Sequence, residues 1–253
     1  MTEQKIPLSV AIITKNEEKK LPDCLKSVSF ADDIVVVDSG STDRTLEIAK
    51  EFGCRVFVER WKGYGPQKNS AIDKCKHEWV LILDADERIP QETMQKIIEI
   101  MENPTVDACS FPRKNYFHGR WIKSSGWWPD RVVRLFKKSK GRITDSLVHE
   151  SVIVNGKIKK ANTPIIHYPV ENLNDMISKI NLYSSLGAEE LFKKGKRTSI
   201  FMAFLKGFVA FLKLYFLRLG FLEGFEGFAI SFYHAVNTTY KYLKLKEKSL
   251  TRR

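Results

Sequence analysis

The chain has 253 residues, a length that suits one large domain or one domain with an appendage. Its 43% hydrophobic and 28% charged residues are typical of a globular protein with a core, which excludes an intrinsically disordered chain. The 42 basic residues outnumber the 30 acidic ones, and the resulting net charge of +12 predicts an anionic partner such as a nucleotide, a nucleic acid or an acidic lipid surface.

The four cysteines are widely spaced and form no C-x-x-C pair, so the sequence predicts neither a disulfide framework nor a zinc site. A reducing cytosol is the simpler compartment for such a chain. The first ten residues contain no long apolar stretch, and no secretory signal is expected.

The first half of the chain alternates short apolar runs with segments of helical spacing. The predicted strands, which are rich in β-branched residues, cover residues 8–13, 34–37, 55–58 and 79–83. Helices are expected after Asn16, after the turn at residues 39–43, over residues 67–75 and from Pro90 onward. Almost continuously apolar strands separated by helices indicate a parallel sheet that is covered on both faces.

Polar motifs follow three of these strands: residues 14–17 (TKNE), 38–41 (DSGS) and 84–86 (DAD). Right-handed crossovers place the carboxyl ends of the strands along one edge of the sheet, where ligands bind in open α/β folds. Asp84 and Asp86 lie two apart in an extended segment, so both can address one Mg²⁺ or Mn²⁺ that holds a diphosphate. A solvated turn before a helix is the alternative for this pair alone, but three motifs in the expected order favour a binding site.

An ordered set of motifs resembles family 2 inverting glycosyltransferases with a GT-A fold over roughly the first 115 residues. The set consists of residues 11–17 (AIITKNE), 35–43 (VVVDSGSTD), 68–69 (KN) and 83–86 (LDAD). The resemblance implies an α/β, Rossmann-like and mostly parallel sheet flanked by helices. Three later motifs are similar to the bacterial lipopolysaccharide-core β-1,4-glucosyltransferase subgroup: residues 126–130 (GWWPD), 134–136 (RLF) and 148–150 (VHE).

The resemblance also implies roles for the residues at the edge of the sheet. Around the uracil and ribose of a UDP-sugar it places Thr14, Glu17 and Asp38. Near the nucleotide or diphosphate it places Lys68 and Asn69, although Lys68 could equally be a surface lysine of a helix. Asp84 would contact ribose or metal, and Asp86 would bind the Mg²⁺ or Mn²⁺.

Inverting glycosyl transfer is a single displacement, which needs a carboxylate to take the proton of the attacking hydroxyl. The downstream candidates are Asp130, Asp145 and Glu150. The resemblance favours Glu150, although a His-Glu pair stands here where many family members have Glu-Asp, and Asp145 is its rival. His149 would orient the carboxylate, contact the diphosphate or serve a structural role.

Two groups of side chains between these motifs have alternative interpretations. Trp121, Trp127 and Trp128 would form an acceptor-binding surface, because sugar rings pack on indole, or would fill a domain edge. Arg131 and Arg134 would hold phosphate groups of the donor or the acceptor, or would form ordinary surface ion pairs.

The last third of the chain is basic and apolar. Residues 172–192 have helical spacing, and residues 199–222 form an apolar stretch interrupted by Lys206, Lys213 and Arg218. Charges within the bilayer are costly, so this pattern predicts an amphipathic helix in the interface of an anionic membrane rather than a spanning helix. Packing on the catalytic domain is the alternative. The expected division is a catalytic domain over residues 1–170 and a helical, membrane-associating region over residues 171–253.

Together these features predict a peripheral enzyme on the cytoplasmic face of the bacterial inner membrane. The resemblance implies transfer of a hexose, namely glucose, from a UDP-sugar to a lipid-linked acceptor, an inner-core heptose of lipopolysaccharide. A polyprenyl-phosphate or other cell-envelope glycosyltransferase is the alternative, and a non-catalytic nucleotide-binding protein or a nucleic-acid-binding protein is a remote one. No nucleic-acid partner is expected, because the basic residues cluster near the C-terminus among Phe and Leu without a known reading motif.

Overall fold

The structure is a computed structural model that describes residues 5–102, 105–145 and 150–250. The chain forms two compact units. The sheet unit comprises Met1–Arg113 and Arg131–His167, and the helical unit comprises Lys114–Asp130 and Tyr168–Arg253. The second boundary lies close to the expected division at residue 170, whereas the grouping of residues 114–130 with the C-terminal helices was not expected.

Strands in chain order are β1 (Ile6–Thr14), β2 (Ala31–Asp38), β3 (Arg55–Val58), β4 (Trp79–Asp84), β5 (Glu87–Arg88), β6 (Ala108–Phe117), β7 (Arg120–Trp121), β8 (Asp130–Lys137), β9 (Gly141–Ile143), β10 (Val152–Val154), β11 (Ile158–Lys160) and β12 (Ile165–His167). The helices are α1 (Leu21–Ser27), α2 (Thr45–Glu51), α3 (Tyr64–Lys74), α4 (Gln91–Glu102), α5 (Leu173–Lys193), α6 (Ile200–Leu212) and α7 (Phe225–Leu250). Each strand and helix predicted in the first half is present, with ends that differ by a few residues.

The main sheet has the strand order β3-β2-β1-β4-β8-β6-β12-β5. The neighbours β3, β2, β1 and β4 run parallel, and β8 joins β4 in the antiparallel sense. The register pairs Thr14 with Asp38 and Ile13 with Asp84, so the strand ends meet at one edge as predicted. The predicted α/β class is confirmed, and beyond the parallel half the sheet is mixed.

The parallel strands are apolar throughout because alternate residues enter two different buried clusters. Val10 and Ile12 belong to one buried cluster and Ala11 to another, on opposite faces of the sheet. The first cluster also contains side chains of α1, α2 and α4, and the second contains side chains of α3. Since both faces are covered, neither set of alternate residues needs to be polar.

The helical unit differs from the prediction at residues 199–222, where one continuous helix was expected. Helix α6 ends in a π-helical turn at Lys213–Leu217, and a 3₁₀ turn follows at Gly220–Glu223. Leu219 between them has a left-handed backbone with φ 55°. The expected helix therefore covers Ile200–Leu217 and ends before residue 222. The chain reverses here because α7 packs back on α6.

Helix α6 presents two different faces. Ala203 and Gly207, one turn apart, are buried, and a Cβ at Gly207 would lie 3.0 Å from the carbonyl oxygen of Ala235 in α7. The ammonium of Lys206 lies 4.9 Å from the ring centre of Tyr242, so this lysine contacts α7 instead of pointing away with the exposed face. Large apolar side chains are exposed on the other side: Phe201, Phe204, Leu205, Phe208 and Val209.

By length and composition, the stretch Ile200–Leu217 would suffice to cross a membrane, and no other helix in the described part of the chain meets that test. Such a stretch is weak evidence for membrane association.

Candidate active site

Asp38 holds the loop that follows β2. Its carboxylate is fully buried and accepts hydrogen bonds from the Thr14 hydroxyl at 2.9 Å and the Ser41 hydroxyl at 2.5 Å. The backbone amides of Gly40 and Ser41 each donate to the other oxygen at 2.8 Å. A carboxylate has about four acceptor positions, so a nucleotide group that used Asp38 would have to replace one of these bonds.

The loops after β1 and β2 are also joined to each other. Asn16 has a left-handed backbone with φ 55°, and its side-chain oxygen accepts the amide hydrogen of Thr42 at 2.8 Å. The amide of Glu17 donates to the Thr45 hydroxyl at 2.8 Å. The loops that follow β1 and β2 carry two of the motifs identified in the sequence, and these loops are therefore joined by hydrogen bonds.

Lys68 connects two of the predicted site carboxylates. Its side chain, 6% exposed, places the ammonium 2.9 Å from Asp84 Oδ1 and 3.0 Å from Glu150 Oε1. Lys68 comes from α3, Asp84 from the end of β4, and Glu150 from the segment before β10. These residues are far apart in the sequence, and the fold brings all three together.

Arg134 holds the other oxygen of Asp84. Its guanidinium lies 2.5 Å from Asp84 Oδ2 and 2.6 Å from Glu87 Oε1, and Arg113 lies 3.2 Å from the same oxygen of Glu87. Of the two interpretations of Arg134, the structure shows pairing with carboxylates. Arg131 instead donates to the backbone carbonyls of Ser110 and Ala161, which are neutral groups.

The contacts among these side chains determine whether Asp84 and Lys68 are charged. Burial opposes ionisation of Asp84, but the charges of Arg134 and then Lys68 outweigh it and hold the pKa of this carboxyl well below its usual range. Burial likewise opposes the charge on Lys68, yet Asp84 and Glu150 raise the pKa of its ammonium above the usual value. Both groups are therefore charged at neutral pH.

Asp86 lies beside a histidine that the sequence analysis missed. His167 Nε2, at the end of β12, is 3.5 Å from Asp86 Oδ1. The antiparallel pairing of β12 with β5 sets this distance, since His167 is opposite Glu87, the neighbour of Asp86. A single histidine 81 residues after the D-x-D motif gives no sequence signal without that pairing.

Carboxylate oxygen and imidazole nitrogen are both ligands of Mn²⁺-type cations. Among the described residues, no group of three or more acidic, histidine or cysteine side chains could hold a metal by itself. Asp86 and His167 would be two of the residues that hold such a cation beside a diphosphate.

Asn69 secures the strand that precedes the candidate bases. Its amide nitrogen donates to the carbonyl of Ile143 at 2.9 Å, and its amide oxygen accepts the Ile143 amide hydrogen at 3.0 Å. Two residues later Asp145 is exposed, whereas Glu150 is half-buried against Lys68. His149 lies outside the described residues. The ligand-binding and catalytic roles of all these side chains stay predictions.

In the helical unit the three tryptophans separate into two environments. Trp127 packs against the buried cluster that includes Phe117 and Met176. Trp121 and Trp128 form an edge-to-face pair with ring centres 5.0 Å apart. Trp127 thus serves in packing, and the other two form a pair.

Comparison with known proteins identifies the family. Residues 9–156 match the model of glycosyl transferase family 2. An uncharacterized glycosyltransferase of Rickettsia typhi is 35% identical over 259 residues, which cover 97% of this chain and 89% of that protein. The lipopolysaccharide core biosynthesis glycosyltransferase LpsC of Rhizobium meliloti is 31% identical over 243 residues, which cover 90% of each protein.

The fold has a counterpart among solved structures. The crystal structure of S. aureus TarS 1–349 in complex with UDP-GlcNAc has a TM-score of 0.50 and 16% identity, with 98% of this chain and 93% of that chain covered. The family expected from the motifs is confirmed, and the two non-enzymatic alternatives are set aside. The chain belongs to glycosyltransferase family 2 and is a glycosyltransferase with the GT-A fold.

Proposed function

We propose that this enzyme transfers a hexose from a UDP-sugar to a lipid-linked acceptor, with inversion at the anomeric carbon. The hexose that we propose is glucose. The acceptor that we propose is an inner-core heptose of lipopolysaccharide. The observation that carries the proposal is the bridge of Lys68 between Asp84 and Glu150. It brings a residue assigned to the donor close to one assigned to the acceptor, and a single displacement needs both substrates in one site.

On the donor side, Asp84 offers an ionised carboxylate that can accept hydrogen bonds from ribose hydroxyls. Asp86 and His167 are the residues that would hold a divalent cation, with Asp84 as the further metal ligand expected from the motif. When bound, the cation would supply positive charge to the diphosphate leaving group.

On the acceptor side, Glu150 is the proposed base. Lys68 contacts Oε1 of Glu150, and we assign Oε2 to the acceptor hydroxyl. As the hydroxyl oxygen forms its bond to the anomeric carbon, its proton passes to Glu150 and the bond from that carbon to the UDP oxygen breaks. UDP leaves with the electron pair of that bond. Asp145, exposed and five residues earlier, is the alternative base.

The choice of a lipopolysaccharide acceptor is supported by the similarity to LpsC over 90% of both chains. The exposed apolar face of α6 supports a position at the cytoplasmic surface of the inner membrane, where such an acceptor is assembled on its lipid. A polyprenyl-phosphate acceptor would fit the same face, and extraction of a glycosylated lipid from the reaction distinguishes the two.

The test is a transfer assay with purified protein, Mn²⁺ and a panel of UDP- and GDP-sugars, in which slow hydrolysis of one UDP-hexose identifies the donor. Glu150→Gln should keep UDP binding and lose transfer by about 10²–10⁴-fold, the usual contribution of a general base. Glu51→Gln, at an exposed position on α2, is the matched control and should transfer normally. If Asp145→Asn loses transfer while Glu150→Gln does not, the assignment of the base is wrong.

A further inference from the structure

Residues 114–130 belong to the helical unit. They contain the end of β6, all of β7 and the first residue of β8. Within this segment, β7 pairs with the end of β6, so that Trp121 lies opposite Tyr116. Residues two apart in a strand share a face, which places Lys114 on the same side of β6 as Tyr116.

Two lysines lie against the indole of Trp121. The Lys114 ammonium is 4.8 Å from the centre of the Trp121 ring, and the Lys123 ammonium is 4.9 Å from it. The ring of Trp128 meets the same indole edge-to-face at 5.0 Å. The result is an aromatic pair with two cations, which we call the Trp121 cluster (Lys114, Trp121, Lys123 and Trp128).

The two ammonium groups have no carboxylate partner among the described residues. The neighbouring Arg120 shows the contrast, because it pairs with Glu226 at 2.8 Å and with Glu223 at 3.5 Å. Both ammonium groups lie beside the same indole ring, which does not neutralise their charge. The cluster therefore has a positive charge that an anion would balance.

The indole N–H of Trp121 adds a second, independent observation. Its nitrogen is buried and has no hydrogen-bond partner within the described ranges. Buried donors in native proteins are nearly always paired, so an unpaired one calls for an acceptor that binds there or for a rearrangement that exposes it. A ligand with several oxygen atoms supplies such an acceptor.

We propose that the Trp121 cluster is a subsite for an anionic sugar, a sugar that carries a phosphate or a carboxylate. As Lys114 and Lys123 turn from the Trp121 ring to the acidic group, the apolar face of the sugar ring packs on the indole, and one of the sugar oxygens accepts the Trp121 N–H. The subsite rests on the proposed function, because it assigns to the glycan acceptor a charged sugar unit next to the one that receives the hexose.

The test uses the full chain with ¹⁵N-labelled tryptophan, in which each indole N–H gives a separate NMR signal. Trp121→Phe identifies the Trp121 signal by its loss, and backbone-based assignment serves if that variant does not fold. Titration with a hexose 6-phosphate and with a hexuronate should shift the Trp121 signal. A neutral hexose and inorganic phosphate at equal concentration should shift it far less.

Lys114→Gln/Lys123→Gln should weaken binding of both anionic sugars by about tenfold or more, because charge-assisted contacts are lost. The control Lys50→Gln/Lys160→Gln changes two exposed lysines of the sheet unit and the same net charge, and it should bind normally. Equal shifts with the neutral hexose, or with phosphate alone, would overturn the subsite. UDP binding is measured in the same samples. If the unmodified protein binds UDP but its Trp121 signal does not shift with either anionic sugar, the subsite alone is refuted. If the unmodified protein does not bind UDP, the proposed function is refuted.

Discussion

Replacement of Lys68 by methionine tests the contact that joins the two halves of the proposed active site. Lys68→Met keeps most of the aliphatic stem and removes the ammonium that lies 2.9 Å from Asp84 and 3.0 Å from Glu150. Asp84 keeps its contact with Arg134 at 2.5 Å, but Glu150 loses its cation. The substitution therefore leaves two carboxylates with one fewer positive charge between them.

The expected loss of stability follows from the exposure of the three side chains. Removing one partner of a fully buried ion pair costs about 3–5 kcal/mol. Lys68 is 6% exposed, but the side chains of Asp84 and Glu150 are 29% and 18% exposed, so water can replace part of the lost interaction. We expect a loss of about 1–3 kcal/mol, and hence a melting temperature lower by roughly 2–12 °C for a chain of this length.

The assay combines thermal unfolding followed by circular dichroism with UDP binding by calorimetry. Lys50→Met, at an exposed position on α2, is the control and should change stability by less than about 0.5 kcal/mol. A double-mutant cycle with Glu150→Gln should give a coupling energy above about 0.5 kcal/mol, as residues in contact do. If Lys68→Met melts like the control and shows no coupling to Glu150, the bridge does not form and the argument for a shared site is refuted.

Three further predictions concern the metal, the membrane and pH. Asp86→Ala should remove most Mn²⁺-dependent UDP binding, measured by calorimetry with Mn²⁺ or EDTA; equal binding in both would argue against the metal assignment. Phe201→Ser/Phe204→Ser should reduce sedimentation with anionic liposomes at least about tenfold, since each buried aromatic contributes about 1.5–3 kcal/mol, whereas the exposed control Phe52→Ser should not. Burial lowers the pKa of His234 from 6.5 to about 4, so the neutral form is favoured in the folded protein. Stability should fall by up to about 3 kcal/mol as pH drops from 6.5 to 4, and His234→Gln should show a flatter pH profile of unfolding.

The parallel half of the fold and the edge that carries the site could be predicted because local patterns determine both. Apolar runs of strand length, each followed by polar residues, are enough to place Thr14, Asp38 and Asp84 at one edge once right-handed connections are assumed. The family motifs lie in the same runs. No long-range information is needed for this part of the argument.

The remaining features depend on contacts between distant parts of the chain. His167 reaches Asp86 only through the pairing of β12 with β5, and Arg134 reaches Asp84 only because β8 joins β4. The reversal at Leu219 depends on the packing of α7 on α6, which the apolar pattern of residues 199–222 does not encode. The spacing and composition of a segment carry information on that segment alone. They therefore cannot predict contacts with residues that are distant in the sequence.

The charges around Asp84 give a physical reason for including a divalent cation in the proposed mechanism. Lys68, Arg113 and Arg134 supply three positive charges, and Asp84, Glu87 and Glu150 supply three negative ones, within one connected set of contacts. These cations are already balanced, so they offer little net attraction to a diphosphate that arrives with further negative charge. Removing a buried cation from its carboxylate to serve the ligand would leave that carboxylate unpaired, at a cost of several kcal/mol. A divalent cation that arrives with the nucleotide would supply positive charge to the diphosphate without taking a cation away from these carboxylates.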